Sequence, residues 1–222
     1  MTQPVTFADV RTNPDIRTYI EKADETLVAL GYTEHSFAHV EKCARMAGDL
    51  LQQLGYSDRT AELARIAAFM HDMGNVVNRA DHALSGAVMA FRILDRMNMD
   101  PAELATIITA IGHHDEGTAF PVNAVTAALI LADKSDVRRS RVRNQDFAAF
   151  DIHDRVNYAV EKSDLQLCTE EKSITLDLTI DNSISSVMDY FEIFLGRMLL
   201  CRRAADFFHI EFRLVINGLR HS

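Results

Sequence analysis

Apolar positions in the first two thirds of the chain recur at steps of three and four. The clearest run is Phe37, Val40, Ala44, Ala47, Leu51 and Leu54. That spacing marks a helix with one buried face. It predicts a helix from Thr33, as cap, to Leu54, closed by Gly55. A preceding helix is predicted over 15–30, with Ile16, Tyr19, Ile20, Ala23, Leu27 and Leu30 as its stripe, ended by Gly31. Ser57 caps a third helix, with Leu63, Ile66, Ala67 and Met70 facing inward and Gly74 as its stop. A polar loop over 75–80 leads to a fourth helix, 81–97. Asp100-Pro101-Ala102-Glu103 is a strong start signal for a fifth, which runs to His113. A Gly/Pro-containing loop, 115–123, precedes a sixth over 124–135.

Beyond Arg143 the period changes. Segments 155–160 and 174–180 alternate apolar and polar residues, the signature of half-buried strands. Segment 183–204 reads as a helix and 209–216 as a strand. The expectation is a mainly α protein: a helical domain over 1–145 and a small C-terminal α+β subdomain, ββαβ-like, over 146–222.

Composition narrows the function classes. The chain has 222 residues, 48% hydrophobic and 25% charged, as in ordinary globular proteins. A formal charge of −9 argues against a general nucleic-acid surface. It leaves a small phosphorylated substrate open, since a bound metal and local arginines can reverse the sign of a pocket. No apolar run approaches the roughly 20 residues that span a bilayer. No basic-then-apolar leader is evident, so a cytoplasmic location is expected. Three separated cysteines, Cys43, Cys168 and Cys201, suggest reduced thiols.

The chemistry gathers around His71-Asp72, at the end of the third helix. His35 and His39 lie one turn apart on the second helix. His82 opens the fourth. His113 and His114 end the fifth, and Asp133 sits in an apolar run of the sixth. A lone histidine at a helix end usually caps or serves the helix dipole. The joint pattern is harder to dismiss, because a carboxylate in an apolar run needs a partner, and a divalent cation would serve.

The order His39, His71-Asp72, His82-x-x-x-Gly86, His113-His114, Asp133 resembles the HD-domain superfamily of metal-dependent phosphohydrolases. The resemblance covers residues 33–143 and implies an HD-type helical bundle. It also implies that His39, His71, Asp72 and Asp133 hold one metal ion. Asp72 would then bridge to a second ion held by His82, His113 and His114. His35 would contact substrate phosphate or a further ion. Imidazole and carboxylate ligands suit a divalent transition metal (Fe, Mn, Zn, Co or Ni). Two such ions can lower the pKa of a shared water and clamp phosphoryl oxygens. Lys134, Arg138 and Arg139 follow the last ligand and are candidates for phosphate binding. Asp115 and Asn75, beside ligands, are candidates for proton transfer or ligand support. Catalysis is thus expected to centre on His71, Asp72 and Asp115.

Two departures restrict the relatives. Asn75 stands where many HD proteins have a lysine, and the Gly-Tyr-Pro of the cyclic-di-GMP phosphodiesterase branch is absent after His114. The leading expectation is a two-metal hydrolase of a small phosphate ester such as a nucleotide. The alternatives are an HD-type di-iron oxygenase and a non-catalytic, metal-stabilised sensor or assembly module. A homodimer through the C-terminal sheet is a further expectation, since an exposed edge invites pairing.

Overall fold

The computed structural model describes residues 3–144 and 150–221. The expected domain boundary at 145/146 falls on residues 145–149, outside the described residues. A helical body comes first: α1 (Phe7–Thr12), α2 (Pro14–Ala29), α3 (Phe37–Gln53), α4 (Asp58–Met70), α5 (His82–Arg96), α6 (Pro101–Gly112) and α7 (Ala124–Lys134). A short 3-10 turn, Met73–Val76, joins α4 to the loop before α5. A second turn, Arg139–Arg141, precedes α8 (Ile152–Ala159). The tail is β1 (Val160–Cys168), β2 (Ser173–Ile180), α9 (Val187–Phe207), β3 (Glu211–Ile216) and β4 (Leu219–Arg220). This is a mainly α architecture with a small α+β appendage.

The caps explain most boundaries. Ser57 accepts from the Thr60 amide, and Asp100 from the amides of Ala102 and Glu103, with Pro101 in the first turn. Asn123 caps α7 through the Thr126 amide. α3 starts later than expected, because Ser36, not Thr33, supplies the cap. Thr33 instead lies in the loop that lines the main pocket.

α7 is the central helix. Every residue from Val125 to Lys134 is buried, as expected for a helix covered on all sides. It packs against α3, α4, α6 and α9. Its C-terminal residues, Asp133 and Lys134, therefore emerge in the middle of the molecule.

The tail differs from expectation at its start. Segment 155–160 is not a strand: Asp151 caps a helix through the Asp154 amide, and Val156 and Ala159 are buried on one face. The alternation in that segment fits a helix once the cap is recognised, because positions three apart share a face. The first strand begins at Val160 instead. β1 and β2 are antiparallel, β2 and β3 are parallel across the α9 crossover, and β4 is a two-residue addition. α9 lies against α7, and Ser163 donates from β1 to the Ser135 carbonyl at 2.6 Å. The appendage thus bears directly on the end of α7.

Candidate metal centre

Two glycines bring the helices close enough to form the centre. A Cβ on Gly74 would lie 1.9 Å from the His82 carbonyl oxygen and 2.5 Å from the Gly86 amide. A Cβ on Gly86 would lie 3.2 Å from the His71 carbonyl oxygen. The 3-10 turn therefore rests backbone to backbone on the first turn of α5. Asp81, in the left-handed conformation at φ 57°, turns the chain so that His82 starts α5 facing His71-Asp72.

Four imidazoles and two carboxylates converge there. His39, from α3, places Nε2 3.6 Å from Asp72 Oδ2 and 3.3 Å from Asp133 Oδ1. His71 Nε2 lies 3.1 Å from Asp72 Oδ2 and 3.7 Å from Asp133 Oδ1. His82 Nε2 lies 3.6 Å from the other oxygen of Asp72, Oδ1. The His114 ring stands edge-on to those of His71 and His82, with centroids 4.9 and 5.1 Å apart. Potential ligand atoms fall into overlapping groups, each within 4.8 Å: His39-His71-Asp72, His71-His114-Asp133 and Asp72-His82-His114.

Each imidazole is oriented through its other nitrogen. Nδ1 of His71 donates to the Ala68 carbonyl at 2.7 Å, that of His114 to Ile111 at 2.6 Å, and that of His82 to Arg79 at 3.1 Å. A carbonyl can only accept, so each of these rings carries a proton on Nδ1, and Nε2 is the nitrogen turned inward. His39 Nδ1 contacts Asp136 Oδ2 at 2.7 Å. Histidine ligands of metals are held in this way. His71 Nε2 and Asp72 Oδ2 are buried without a hydrogen-bond partner. Such atoms are costly in a protein interior. The donor set fits a divalent transition metal, which would satisfy both.

The electrostatics point the same way. Burial alone would raise the Asp72 and Asp133 carboxyls. The His71 and His35 imidazoles outweigh it at Asp72, and Lys134, His39 and His71 outweigh it at Asp133, so both lie well below the usual range. Burial pulls the His71 imidazole down, but Asp72 and Asp133 more than offset it and hold it near 10. Burial, then the charge on His71, pushes His114 down to about 3. Cys43 Sγ is 3.7 Å from His39, but burial pushes its thiol well up, so it remains a thiol.

The other expected residues divide. His35 lines the pocket above the centre, with its Nδ1 held by the Thr33 carbonyl at 2.7 Å, and burial pulls its imidazole well below the usual range. Lys134 lines the same pocket, with Nζ 2.8 Å from Asp133 Oδ2. Asp115 stands at the edge, with Oδ1 3.9 Å from His82 Nε2. Asn75 donates to Asp72 Oδ1 at 3.1 Å. His113 is not brought into the group: it is the C-cap residue of α6, and its side chain faces an outer groove with Leu84 and Phe91. Arg138 bonds Asp136 at 2.9 Å and pairs with Glu34. Arg139 donates to the Tyr158 carbonyl at 2.6 Å. Neither arginine lines the pocket.

Three residues of the site, Asp136, Arg79 and Arg197, escaped the sequence reading, whereas Arg141 belongs to the basic run that follows Asp133. Asp136 is fully buried and gathers His39, Lys42 at 2.6 Å and Arg138. Arg141 donates to the backbone carbonyls of Glu34 and Asp136 and reaches the pocket wall. Arg79 and Arg197 line the same cavity of about 520 Å³. Asp136 had a usable signal, as the lone acidic residue heading a basic run. Arg197 had none, because α9 reaches the site only through the tertiary fold.

The HD domain family model matches residues 32–155, more than half of the chain. The chain belongs to the HD domain family. That family lies in the superfamily of metal-dependent phosphohydrolases, and the buried histidines and aspartates described above form groups that could hold a metal ion. An uncharacterized protein of Methanocaldococcus jannaschii, MJ1020, is 23% identical over 199 residues, covering 79% of this chain and 76% of the relative.

Proposed function

We propose that this HD domain protein hydrolyses a small phosphate ester, such as a nucleotide, at a centre of two divalent transition-metal ions. The observation that carries the reading is the placement of Asp72. Its Oδ2 faces His39 and His71, its Oδ1 faces His82, and Asp72 and His82 line a polar pocket. This supports His39, His71, Asp72 and Asp133 as the holders of one ion, and Asp72, His82 and His114 as holders of the other. When bound, the ions supply Lewis acidity and a water acidic enough to act as nucleophile near neutral pH.

The chain's own groups do the rest. Asn75 fixes the Asp72 carboxylate and accepts at 3.2 Å from Arg79. Arg79 thereby aims its guanidinium along the pocket, where it can bind phosphoryl oxygens. Asp115 stands beside His82 and is more open to water. Burial would raise its carboxyl, but Lys134 and His82 hold it below the usual range, so its role in proton transfer would be to accept a proton. The reaction takes one water and gives an alcohol and inorganic phosphate. For partners, the outer edge of β1 would pair two copies through the tail, and a monomeric mass in solution would remove that part.

The test is release of phosphate from nucleotides and sugar phosphates, and of nucleotides from dinucleoside polyphosphates, by metal-loaded protein, beside Asp72→Asn and Asp133→Asn. Turnover abolished in both variants with the fold retained supports hydrolysis. Oxygen uptake with an organophosphonate or a polyol, and no phosphate from any ester, favours the di-iron oxygenase. Loss of folding in both variants favours a structural ion.

A further inference from the structure

We propose that the pocket holds a second anion subsite, built by Lys134 and Arg197 and bridged by Glu116. The substrate is then an organic phosphate carrying a second phosphoryl group. Glu116 Oε1 accepts from Arg197 Nε at 2.6 Å and lies 3.6 Å from Lys134 Nζ. One carboxylate oxygen thus stands between two cations, where an anionic oxygen of a ligand would bind. Lys134 is almost wholly buried, whereas Glu116 is exposed and free to swing aside. Arg197 is steadied by the Phe194 ring, 4.6 Å beneath its guanidinium.

Lys134 and Arg197 share the one exposed carboxylate of Glu116. The remaining partner of Lys134 is Asp133, at 2.8 Å. Asp133 is among the groups assigned above to a metal ion, and the present inference rests on that reading. Its charge is then shared, which leaves two cations to one displaceable carboxylate. Across the pocket, Arg79 Nη1 donates to the Asn75 amide oxygen at 3.2 Å and contacts His82 Nε2 at 3.3 Å, neither of them an anionic group. A scissile phosphoryl group fits the Arg79 side, beside Asp72 and His82. A second group fits Lys134 and Arg197. Because α9 supplies Arg197 and Phe194, the C-terminal unit becomes part of substrate selection.

The test is calorimetric titration of the metal-loaded full chain with methylphosphonate, phosphonoacetate and methylenediphosphonate, none of which has an ester to hydrolyse. Methylenediphosphonate is expected to bind about tenfold more tightly than methylphosphonate, as one added charge-assisted contact implies. Arg197→Gln should bring that ratio to within about threefold, and Glu116→Gln should raise it, by removing the competing carboxylate. Chelation of free metal is the same for every variant and cancels in the comparison. A tighter Glu116→Gln complex cannot come from misfolding. A ratio near one in the native protein, a ratio unchanged by both substitutions, or phosphonoacetate equal to methylenediphosphonate would overturn the subsite. If the binding pattern holds while no ester is hydrolysed, the subsite stands and the phosphohydrolase reading falls.

Discussion

Asp136→Asn is the most informative single change, because Asp136 touches a proposed ligand and no substrate. Its carboxylate takes His39 Nδ1 at 2.7 Å, Lys42 Nζ at 2.6 Å and Arg138 Nε at 2.9 Å, all with no exposure of its own side chain. An amide has one acceptor oxygen and presents an NH2 to the third donor. At least one charge-assisted bond is lost, at about 1.5–3 kcal/mol, and two cations lose their counter-charge. Breaking a buried pair in this way costs about 3–5 kcal/mol. Urea unfolding in chelator should show that loss. Competition of the variant against a chromophoric chelator should show metal affinity weakened by about 10–100-fold. Lys42→Gln is the control: Lys42 shares the carboxylate, so stability should fall without a comparable loss of metal affinity. Affinity within twofold of native in Asp136→Asn would refute the claim that His39 is oriented through Asp136. The pH sense follows from the same contacts. Burial would raise this carboxyl, but the His39 hydrogen bond, the His39 charge, Arg141 and Lys42 hold it below the usual range. A depressed folded value contributes stability above the unfolded value of about 4 and loses it as pH falls further. The native urea midpoint should therefore drop below that pH, and Asp136→Asn should lack this part of the acid limb.

Other consequences are equally direct. His114→Ala should remove one metal equivalent while His113→Ala retains both, read by elemental analysis; equal losses would contradict the inward role given to His114 alone. Gly74→Ala should destabilise by about 1–3 kcal/mol or more, because the added Cβ meets backbone at 1.9 Å; an unchanged thermal midpoint would refute the close approach. Native protein should yield one thiol quickly to a disulfide reagent, that of half-buried Cys168. Cys43 and Cys201 are buried, and burial raises the Cys201 thiol to about 12. Denaturant should release all three.

The helical body was readable because its signals are local. Caps at Ser57, Asp100 and Asn123 and the stripe from Phe37 to Leu54 act within one or two turns. The His71-Asp72 pair, His39, His82, His114 and Asp133 were visible as chemistry placed at helix ends. What was not readable depends on rotation or on distant contact. His113 and His114 are equal in sequence, and the backbone just past the end of α6 decides between them. Segment 155–160 alternates, but the cap at Asp151 makes it helical. Arg138 and Arg139 were chosen for their position after Asp133, yet buried Asp136 and the Tyr158 carbonyl engage them first. Arg79 and Arg197 reach the pocket from a loop and from a helix more than 60 residues beyond Asp133.

The central claim is that the buried histidines and aspartates hold catalytic divalent ions. It is tested most directly by metal content after apo protein is loaded with Fe, Mn, Zn, Co or Ni and desalted, beside Asp72→Asn. Two equivalents in the native chain, falling in a folded Asp72→Asn variant, are expected from a carboxylate that faces both sets of imidazoles. No retained metal in the native chain, or an unchanged two equivalents in the variant, would contradict it.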